Sequence, residues 1–388
     1  MDGDMDIKSV DKKRVVGTYN RYDVAIVSGS GARCTDDCGR EYIDLGSGIG
    51  VNSLGYCDKG WVAAVSKQLA TLQHTSNLYY TRPCAELAAT LCERSGYAKA
   101  LFCNSGAEAN EAAIKTARKY SFDKYGRGRD VIVTLRNSFH GRTMATLTAT
   151  GQDVFHNYFF PFNEGFEYAD KDIEQIAGIE GVCAVMLEFV QGEGGVIPVE
   201  EEFVTELAQL CRERDILMIA DEVQTGIGRT GKLLASQHYG VLPDITTLAK
   251  GLGAGLPIGA MLVGDRCADT LTFGTHGTTF GGNPVICAGA LEVLSRLDDA
   301  ALEQVRRKGE YIRSRLLSCP GVAGVDGLGM MLGIRLKDKQ AAQALKDCIG
   351  EGVLVLTAKE KIRLLPPLTI GDGDLQEGVD RLIAAIEK

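Results

Sequence analysis

Six short, almost uninterrupted apolar runs, separated by stretches of helical periodicity, constrain this chain more than any other feature. They are Leu101-Phe102-Cys103, Val131-Ile132-Val133, Cys183-Ala184-Val185-Met186-Leu187, Ile216-Leu217-Met218-Ile219-Ala220, Ile245-Thr246-Thr247-Leu248 and Ile258-Gly259-Ala260-Met261-Leu262-Val263. A strand with one wet face alternates apolar and polar residues, whereas a run that is apolar throughout has to be covered on both faces. Helical periodicity over 61–73 and 84–94, and the alanine-rich stretch 108–120, supply the covers. The pattern predicts an α/β fold with a mostly parallel, doubly covered sheet.

Outside that block the character of the chain changes. Residues 1–60 read as short strands and turns forming a cap. Beyond about Cys267 the pattern predicts a long helix after Pro284, helices through much of 300–317, and strands near 332–335 and 362–365. With 388 residues, 45% of them hydrophobic, the chain can bury a large core in two or more units. The division expected is 1–60 packing with a small α+β domain at 267–388, and a large domain at 61–266, with the boundary inside 267–290. The balance of 42 basic against 51 acidic residues argues against a surface built for nucleic acid or anionic lipid. Twelve cysteines are scattered from Cys34 to Cys348 without the paired spacing of a disulfide framework or a zinc site, so no metal is expected. The acidic start Met1-Asp2-Gly3-Asp4 lacks an apolar leader, and no apolar run reaches the ~18 residues of a membrane helix. Reduced thiols in a cytoplasmic compartment are the expectation.

In an open parallel sheet, ligands bind beyond the C-terminal ends of the strands, so the residues that follow each run carry the chemistry. After 101–103 comes Asn104-Ser105-Gly106-Ala107-Glu108, where a hydroxyl, a glycine and free amides open a helix and suit a phosphate; alone, Ser105 reads equally as a helix cap. After 131–133 comes Asn137-Ser138-Phe139-His140-Gly141-Arg142. Phe139 could stack on a heteroaromatic ring and Arg142 could fork onto a carboxylate, although singly they read as core packing and surface charge. After 216–220 comes Asp221-Glu222-Val223-Gln224, and then Gly226-Ile227-Gly228-Arg229-Thr230-Gly231. That second piece matches G-x-G-x-x-G, but two carboxylates ahead of the first glycine would repel a pyrophosphate and no acidic strand end follows ~20 residues later, which excludes a dinucleotide fold. Lys250 lies between an apolar run and three glycines, Gly251, Gly253 and Gly255. Most lysines are solvated surface charges. In this setting partial burial lowers the amine's pKa and leaves room for a bulky ligand. Amine and aspartate together are what pyridoxal phosphate chemistry requires: one condenses with the aldehyde, the other holds the ring nitrogen protonated. A last glycine-rich loop, His276-Gly277-Thr278-Thr279-Phe280-Gly281-Gly282-Asn283-Pro284, offers two hydroxyls for a second phosphate contact.

In their order and spacing these segments resemble the class III aminotransferases of pyridoxal-phosphate fold type I, and among them the acetylornithine aminotransferase branch. The resemblance runs through Gly17-Thr18-Tyr19-Asn20-Arg21, Tyr42-Ile43-Asp44, Ser76-Asn77-Leu78-Tyr79-Tyr80-Thr81, 104–112, 138–142, Gln191-Gly192-Glu193-Gly194-Gly195, 221–231, Lys250 and 278–284. It implies a large domain built on a mostly parallel seven-stranded sheet. It implies that Lys250 forms a Schiff base with pyridoxal 5'-phosphate, that Asp221 pairs with the pyridine nitrogen, and that Glu222, Val223 and Gln224 belong to the cofactor-binding stretch, with Val223 and Gln224 flanking the ring. Phe139 would stack on one ring face, and Ser105, Gly106 and Ala107 would receive the phosphate. Thr279 would reach the phosphate of a neighbouring subunit, which makes the expected protein a homodimer. Arg142 and Thr278 would grip an acylated donor, Arg363 would bind an α-carboxylate, and Glu193 would neutralise that arginine when a terminal amine enters first. Departures from the family pattern are Phe189 where proline is usual, Ala107 and Thr278 for the commoner threonine and serine, and Tyr56-Cys57-Asp58 for a histidine-containing turn. Phe189 and Thr278 are expected near the substrate pocket.

The function implied is transfer of the terminal amino group of N-acetylornithine to 2-oxoglutarate, in arginine biosynthesis. Competing readings are the same fold acting on ornithine, succinylornithine or 4-aminobutyrate, and a non-catalytic regulator that keeps the cofactor pocket.

Overall fold

The structure is a computed structural model that describes residues 6–388. Each of the six apolar runs forms a strand, and together with one further strand they make a single sheet. The strands are β1 (Lys99–Cys103), β2 (Val131–Leu135), β3 (Phe166–Ala169), β4 (Val182–Leu187), β5 (Leu217–Asp221), β6 (Ile245–Leu248) and β7 (Gly259–Val263), in the spatial order β1-β7-β6-β5-β4-β2-β3. All neighbours pair in parallel except β7, which runs antiparallel to both β6 and β1. The strand that the apolar runs did not announce is β3. It lies at the sheet edge, where Glu167 faces solvent, so it has no need of a continuous apolar run.

Both faces of the sheet are dry. Ile216, Met218 and Ala220 pack with Phe203, Val204 and Leu207 of the helix Glu201–Glu213, while Leu217 and Ile219 pack on the other side with Ala112, Ala113 and Ala117 of the helix Gly106–Tyr125. This strict side-to-side alternation within an all-apolar run is the signature of a strand buried twice. The small alanine side chains let the second helix lie close against the sheet.

A four-stranded antiparallel sheet in the C-terminal part, in the order Val322–Leu328, Met331–Leu336, Lys361–Leu364, Leu356–Ala358, is backed by the helix Asp299–Leu317. Near the N-terminus the strands Ile26–Ser30, Arg33–Asp36 and Glu41–Asp44 pair antiparallel, and Val353–Leu354 adds to the last of them in parallel. The N-terminal cap thus shares a sheet with the C-terminal part of the chain. The expected acidic start, Met1 to Asp4, lies outside the described residues. Among the described residues no helix is long and apolar enough to cross a membrane.

Candidate active site

The C-terminal ends of the parallel strands open onto a cavity of about 590 Å³. Its walls include Ser105, Gly106 and Ala107 after β1, Phe139 and Arg142 after β2, Asp221, Val223 and Gln224 at and after β5, and Lys250 after β6. Nine of the residues singled out in the sequence therefore meet in one place, although they span residues 105 to 250.

Lys250 begins a single 3₁₀ turn, Lys250–Leu252, with φ of +40°. A side chain in that region is strained, and the strain is held by packed surroundings. Burial is the largest influence on its amine and lowers its pKa from the ordinary 10.5; Glu193, Asp221 and Glu188 oppose the shift, and Arg363 adds to it. The side chain is still partly open to the cavity. An amine that sheds its proton easily and faces a cleft is a nucleophile and a base.

Asp221 ends β5 and is almost wholly buried. Its Oδ2 accepts hydrogen bonds from Asn110 Nδ2 and His140 Nδ1, both at 2.8 Å, and its Oδ1 accepts from the Val223 amide at 3.1 Å. Asn110 also donates to the His140 carbonyl at 2.7 Å and accepts from Thr247 at 2.6 Å. The carboxylate is thus fixed from three elements, with its charge directed by the network that holds it.

One end of the cavity is built on the start of the helix Gly106–Tyr125. Ser105 caps it by accepting from the Glu108 amide at 3.2 Å. Among the described residues the Gly106 and Ala107 amides find no acceptor, as expected of a first helical turn, and they point their partial positive charge at the cavity. A Cβ on Gly106 would stand 2.7 and 2.8 Å from the two Val223 methyl carbons, so only glycine lets the helix start and the end of β5 approach this closely. Free amides, a slot lined by Phe139 and Val223, an aspartate and an amine suit a phosphorylated pyridine aldehyde. The residues present fit pyridoxal 5'-phosphate.

The remaining residues singled out in the sequence stand around this slot. Arg142 lies over the rings of Phe155 and Phe139, at 4.3 and 5.5 Å from their centres, and among the described residues pairs with no carboxylate. Arg363, on the strand Lys361–Leu364, is buried; its Nη1 donates to Glu193 Oε1 at 2.6 Å and to Gln224 Oε1 at 3.1 Å, while its Nε has no partner. Burial, the largest single influence, pushes the Glu193 carboxyl up, but Arg363 together with Lys250 and Gln224 outweighs it and holds the group below the usual range. Arg363 and Glu193 touch the cavity wall through Gln224. Thr278 reaches it through Asn104, whose Nδ2 donates to Thr278 Oγ1 at 3.0 Å. Thr279 is exposed on the surface of the single chain.

Two expectations are corrected. The Glu222 carboxylate does not face the slot: it is buried behind it and accepts from Ala235 N at 2.6 Å, Ser236 N at 2.9 Å and Thr225 Oγ1 at 3.1 Å, tying down the loop after β5. Phe189 does not line a substrate pocket; it is fully buried and stacked on Tyr239 with centres 5.0 Å apart, on the face of the sheet covered by the helix Glu201–Glu213. Successive residues at a strand end point to opposite sides, so Glu188 enters the cavity wall and Phe189 turns away. Three site residues were missed, namely Asn110, His140 and Glu188. Glu188 was within reach of the strand-end rule, as the first residue after β4. It accepts from the amides of Phe139 at 2.9 Å and Gly192 at 3.1 Å, and burial raises its carboxyl to about 7.

A family model described as Aminotransferase class-III matches residues 16–386. An acetylornithine aminotransferase of Haemophilus ducreyi is 49% identical over 387 residues, covering 98% of this chain and 98% of its own length. Among solved structures, an ornithine aminotransferase from Toxoplasma gondii superposes with a TM-score of 0.93 at 32% identity, covering 98% of this chain and 94% of its own. An N-acetylornithine aminotransferase from Stenotrophomonas maltophilia does so with a TM-score of 0.84 at 38% identity, covering 98% of both.

Proposed function

The chain belongs to the class III aminotransferases, and on that premise we propose that it moves the terminal amino group of N-acetylornithine to 2-oxoglutarate, using pyridoxal 5'-phosphate, as a step of arginine biosynthesis. The observation that carries the reading is the convergence of the Lys250 amine, the Asp221 carboxylate and the open helix start at Gly106 on one cavity. Bound there, pyridoxal phosphate supplies an aldehyde that condenses with amines and a ring that holds an electron pair.

The chain's own residues do the rest. Asp221, fixed by Asn110 and His140, keeps a negative charge where the ring nitrogen has to stay protonated. Phe139 and Val223 confine the ring, and the Gly106 and Ala107 amides receive the phosphate. Lys250 Nζ, lowered by burial, takes the proton from the donor carbon that bears the amine and returns it to the cofactor side. Two substrates with different charge patterns share the cleft. While Glu193 covers Arg363, the site accepts an uncharged terminal amine; when Glu193 swings aside, Arg363 takes the α-carboxylate of the keto acid. Arg142 stands free for the carboxylate of the acylated donor.

Full assembly of the site is a property of a homodimer in this reading, with Thr279 reaching a partner's phosphate. The exposed side chains Leu78, Tyr79 and Tyr80 beside that loop support it. The test is a donor panel of N-acetylornithine, ornithine, succinylornithine and 4-aminobutyrate with 2-oxoglutarate as acceptor. The acetylated donor is expected to give the highest kcat/KM; a higher value for any other donor overturns the assignment of substrate and leaves the reaction class standing.

A further inference from the structure

The glycine-rich stretch Gly226 to Gly231 matches a dinucleotide pattern without being one, and the chemistry above leaves it without a task. It carries Arg229, whose residue is only 2% exposed. Burial lowers the guanidinium to about 9, with no acidic neighbour to oppose the shift. A charge buried without a counter-ion is costly, and an apolar side chain of similar length would fill the space at lower cost. Stability alone therefore does not account for an arginine here. Its contacts do. Arg229 Nη1 donates to the Pro366 carbonyl at 2.6 Å and to the Met330 carbonyl at 3.2 Å, and the Arg229 carbonyl accepts from the Met330 amide at 3.1 Å. Met330 precedes the strand Met331–Leu336 and Pro366 follows the strand Lys361–Leu364; the two strands pair with Gly333 opposite Arg363. Gly329, with φ of +54°, approaches the same loop so closely that a Cβ there would stand 2.4 Å from the Thr230 carbonyl carbon. Arg363 in turn reaches back to Gln224, at the start of that loop. The contacts close a ring that runs from Gln224 through Arg229 and Pro366 to Arg363 and back to Gln224.

We infer that Arg229 is a positioning residue for Arg363: by holding the ends of both strands against the loop after β5, it sets where the Arg363 fork stands relative to the cavity, and so the affinity for the keto acid. The inference rests on the proposal that Arg363 takes the α-carboxylate of that acceptor. A guanidinium binds a carboxylate through two parallel bonds only when its plane is held in place. A displacement of about 1 Å at such a clamp costs on the order of 10²-fold. Arg363 stands on a strand of the C-terminal sheet, whereas Asp221, Gln224 and Lys250 follow strands of the large sheet, so its distance from the cavity depends on what ties the two sheets together. Arg229 makes such a tie within three residues of Arg363 in chain order, at Pro366. Arg142, assigned to the acylated donor, follows β2 and has no share in these contacts. The effect of Arg229 therefore falls on one of the two substrates.

The test compares the full chain loaded with pyridoxal phosphate with Arg229→Met, which keeps the length and loses the donors, and with Arg363→Ala. In a two-stage transfer, kcat/KM for each substrate reports one half of the reaction. For Arg229→Met it is expected to fall at least about tenfold for 2-oxoglutarate and to stay within about twofold of the parent for N-acetylornithine. Calorimetric binding of glutarate, a five-carbon dicarboxylate with no reacting carbonyl, should weaken by a similar factor. A merely structural role would lower both halves together. An equal fall for both substrates overturns the inference, and so does unchanged kcat/KM for 2-oxoglutarate in the folded variant. A loss of 2-oxoglutarate recognition in Arg363→Ala without one in Arg229→Met overturns this inference alone; no loss in Arg363→Ala overturns the role of Arg363 and the inference with it. If the methionine variant does not fold, Arg229→Lys, which keeps the charge and one donor, decides the matter by the same ratio of the two kcat/KM values.

Discussion

The amine of Lys250 and the carboxyl of Glu188 show how burial sets chemistry one residue at a time. Lys250→Ala removes both the nucleophile and the base, and the expected result is loss of turnover by a factor of at least about 10⁴, since a positioned proton carrier alone is worth about 10²–10⁴. Steady-state assay, with far-ultraviolet dichroism to show that the fold persists, checks it; turnover within tenfold of the parent refutes the role. Glu188 makes a different kind of prediction, because its carboxyl is raised from 4.5 to about 7 by desolvation. Between those values the folded chain keeps a proton that the unfolded chain has released. Folding stability therefore falls as pH rises from about 4.5 to about 7, and is unaffected by this group outside that window. One pKa unit corresponds to about 1.36 kcal/mol, so up to about 3 kcal/mol is at stake. Glu188→Gln should cost a constant amount, because its amide meets one of the two N–H groups that the carboxyl accepts, and should flatten the slope. Urea unfolding at pH 5 and pH 8 measures it, and parallel slopes for parent and variant count against the buried, protonated carboxyl. Phe189 bears on stability alone. Its side chain fills a dry slot against Tyr239, so Phe189→Ala should lower stability by about 3–5 kcal/mol and leave the ranking of donors unchanged.

At the scale of elements, the apolar runs were legible in the sequence because each is buried on two faces and carries that fact in every residue. All six became strands, with limits shifted by a residue or two, as the geometry of fraying ends makes usual. The edge strand Phe166–Ala169 was not legible, since Glu167 is free to face water there. The site divides the same way. Residues with a telling local setting could be picked out, and the cavity brings them together: a lysine before glycines, a serine before a helix, an aspartate at a strand tip. Asn110 and His140 sit next to such groups and look ordinary in sequence, because their role is set by a bond to Asp221, more than eighty residues away in chain order. Glu222 was misread for the same reason, as two adjacent carboxylates differ only in the side of the strand end to which they turn. The helix start at Gly106 gives the prediction proper to this scale. Gly106→Val would press β-branched carbon into the Val223 methyls and separate the helix from β5. Cofactor binding should weaken at least tenfold, about 1.4 kcal/mol, read by titrating apoprotein with pyridoxal phosphate in the absorbance of the product. Affinity equal to the parent's would show that this close approach has no part in holding the phosphate.

For the whole molecule, the question is what covers the face beside the loop of Thr278 and Thr279. Leu78, Tyr79 and Tyr80 are largely or fully exposed, and Asn77 ties their segment to that loop; Phe280, also exposed, leans on His74 with ring centres 5.3 Å apart. A run of apolar and aromatic side chains left to water is costly for an isolated chain and typical of a surface that meets a partner. The homodimer proposed above would put a second copy of the chain on this face and would give the Thr279 hydroxyl, which does not line the cavity of its own chain, a partner's phosphate to reach. A symmetric contact of this kind would place two loops against two sites at once, so the proposed dimer would couple assembly to catalysis. Leu78→Asp with Tyr80→Asp buries two unpaired charges in that contact and should shift sedimentation from dimer to monomer. Turnover per subunit and affinity for pyridoxal phosphate should fall together with it, although neither residue lies in the cavity wall. Dilution of the parent enzyme below its dissociation constant should reproduce the same loss. A double variant that sediments and turns over like the parent removes the dimer from the account, and with it the role of Thr279, while the chemistry at Lys250 and Asp221 stands on contacts made within a single chain.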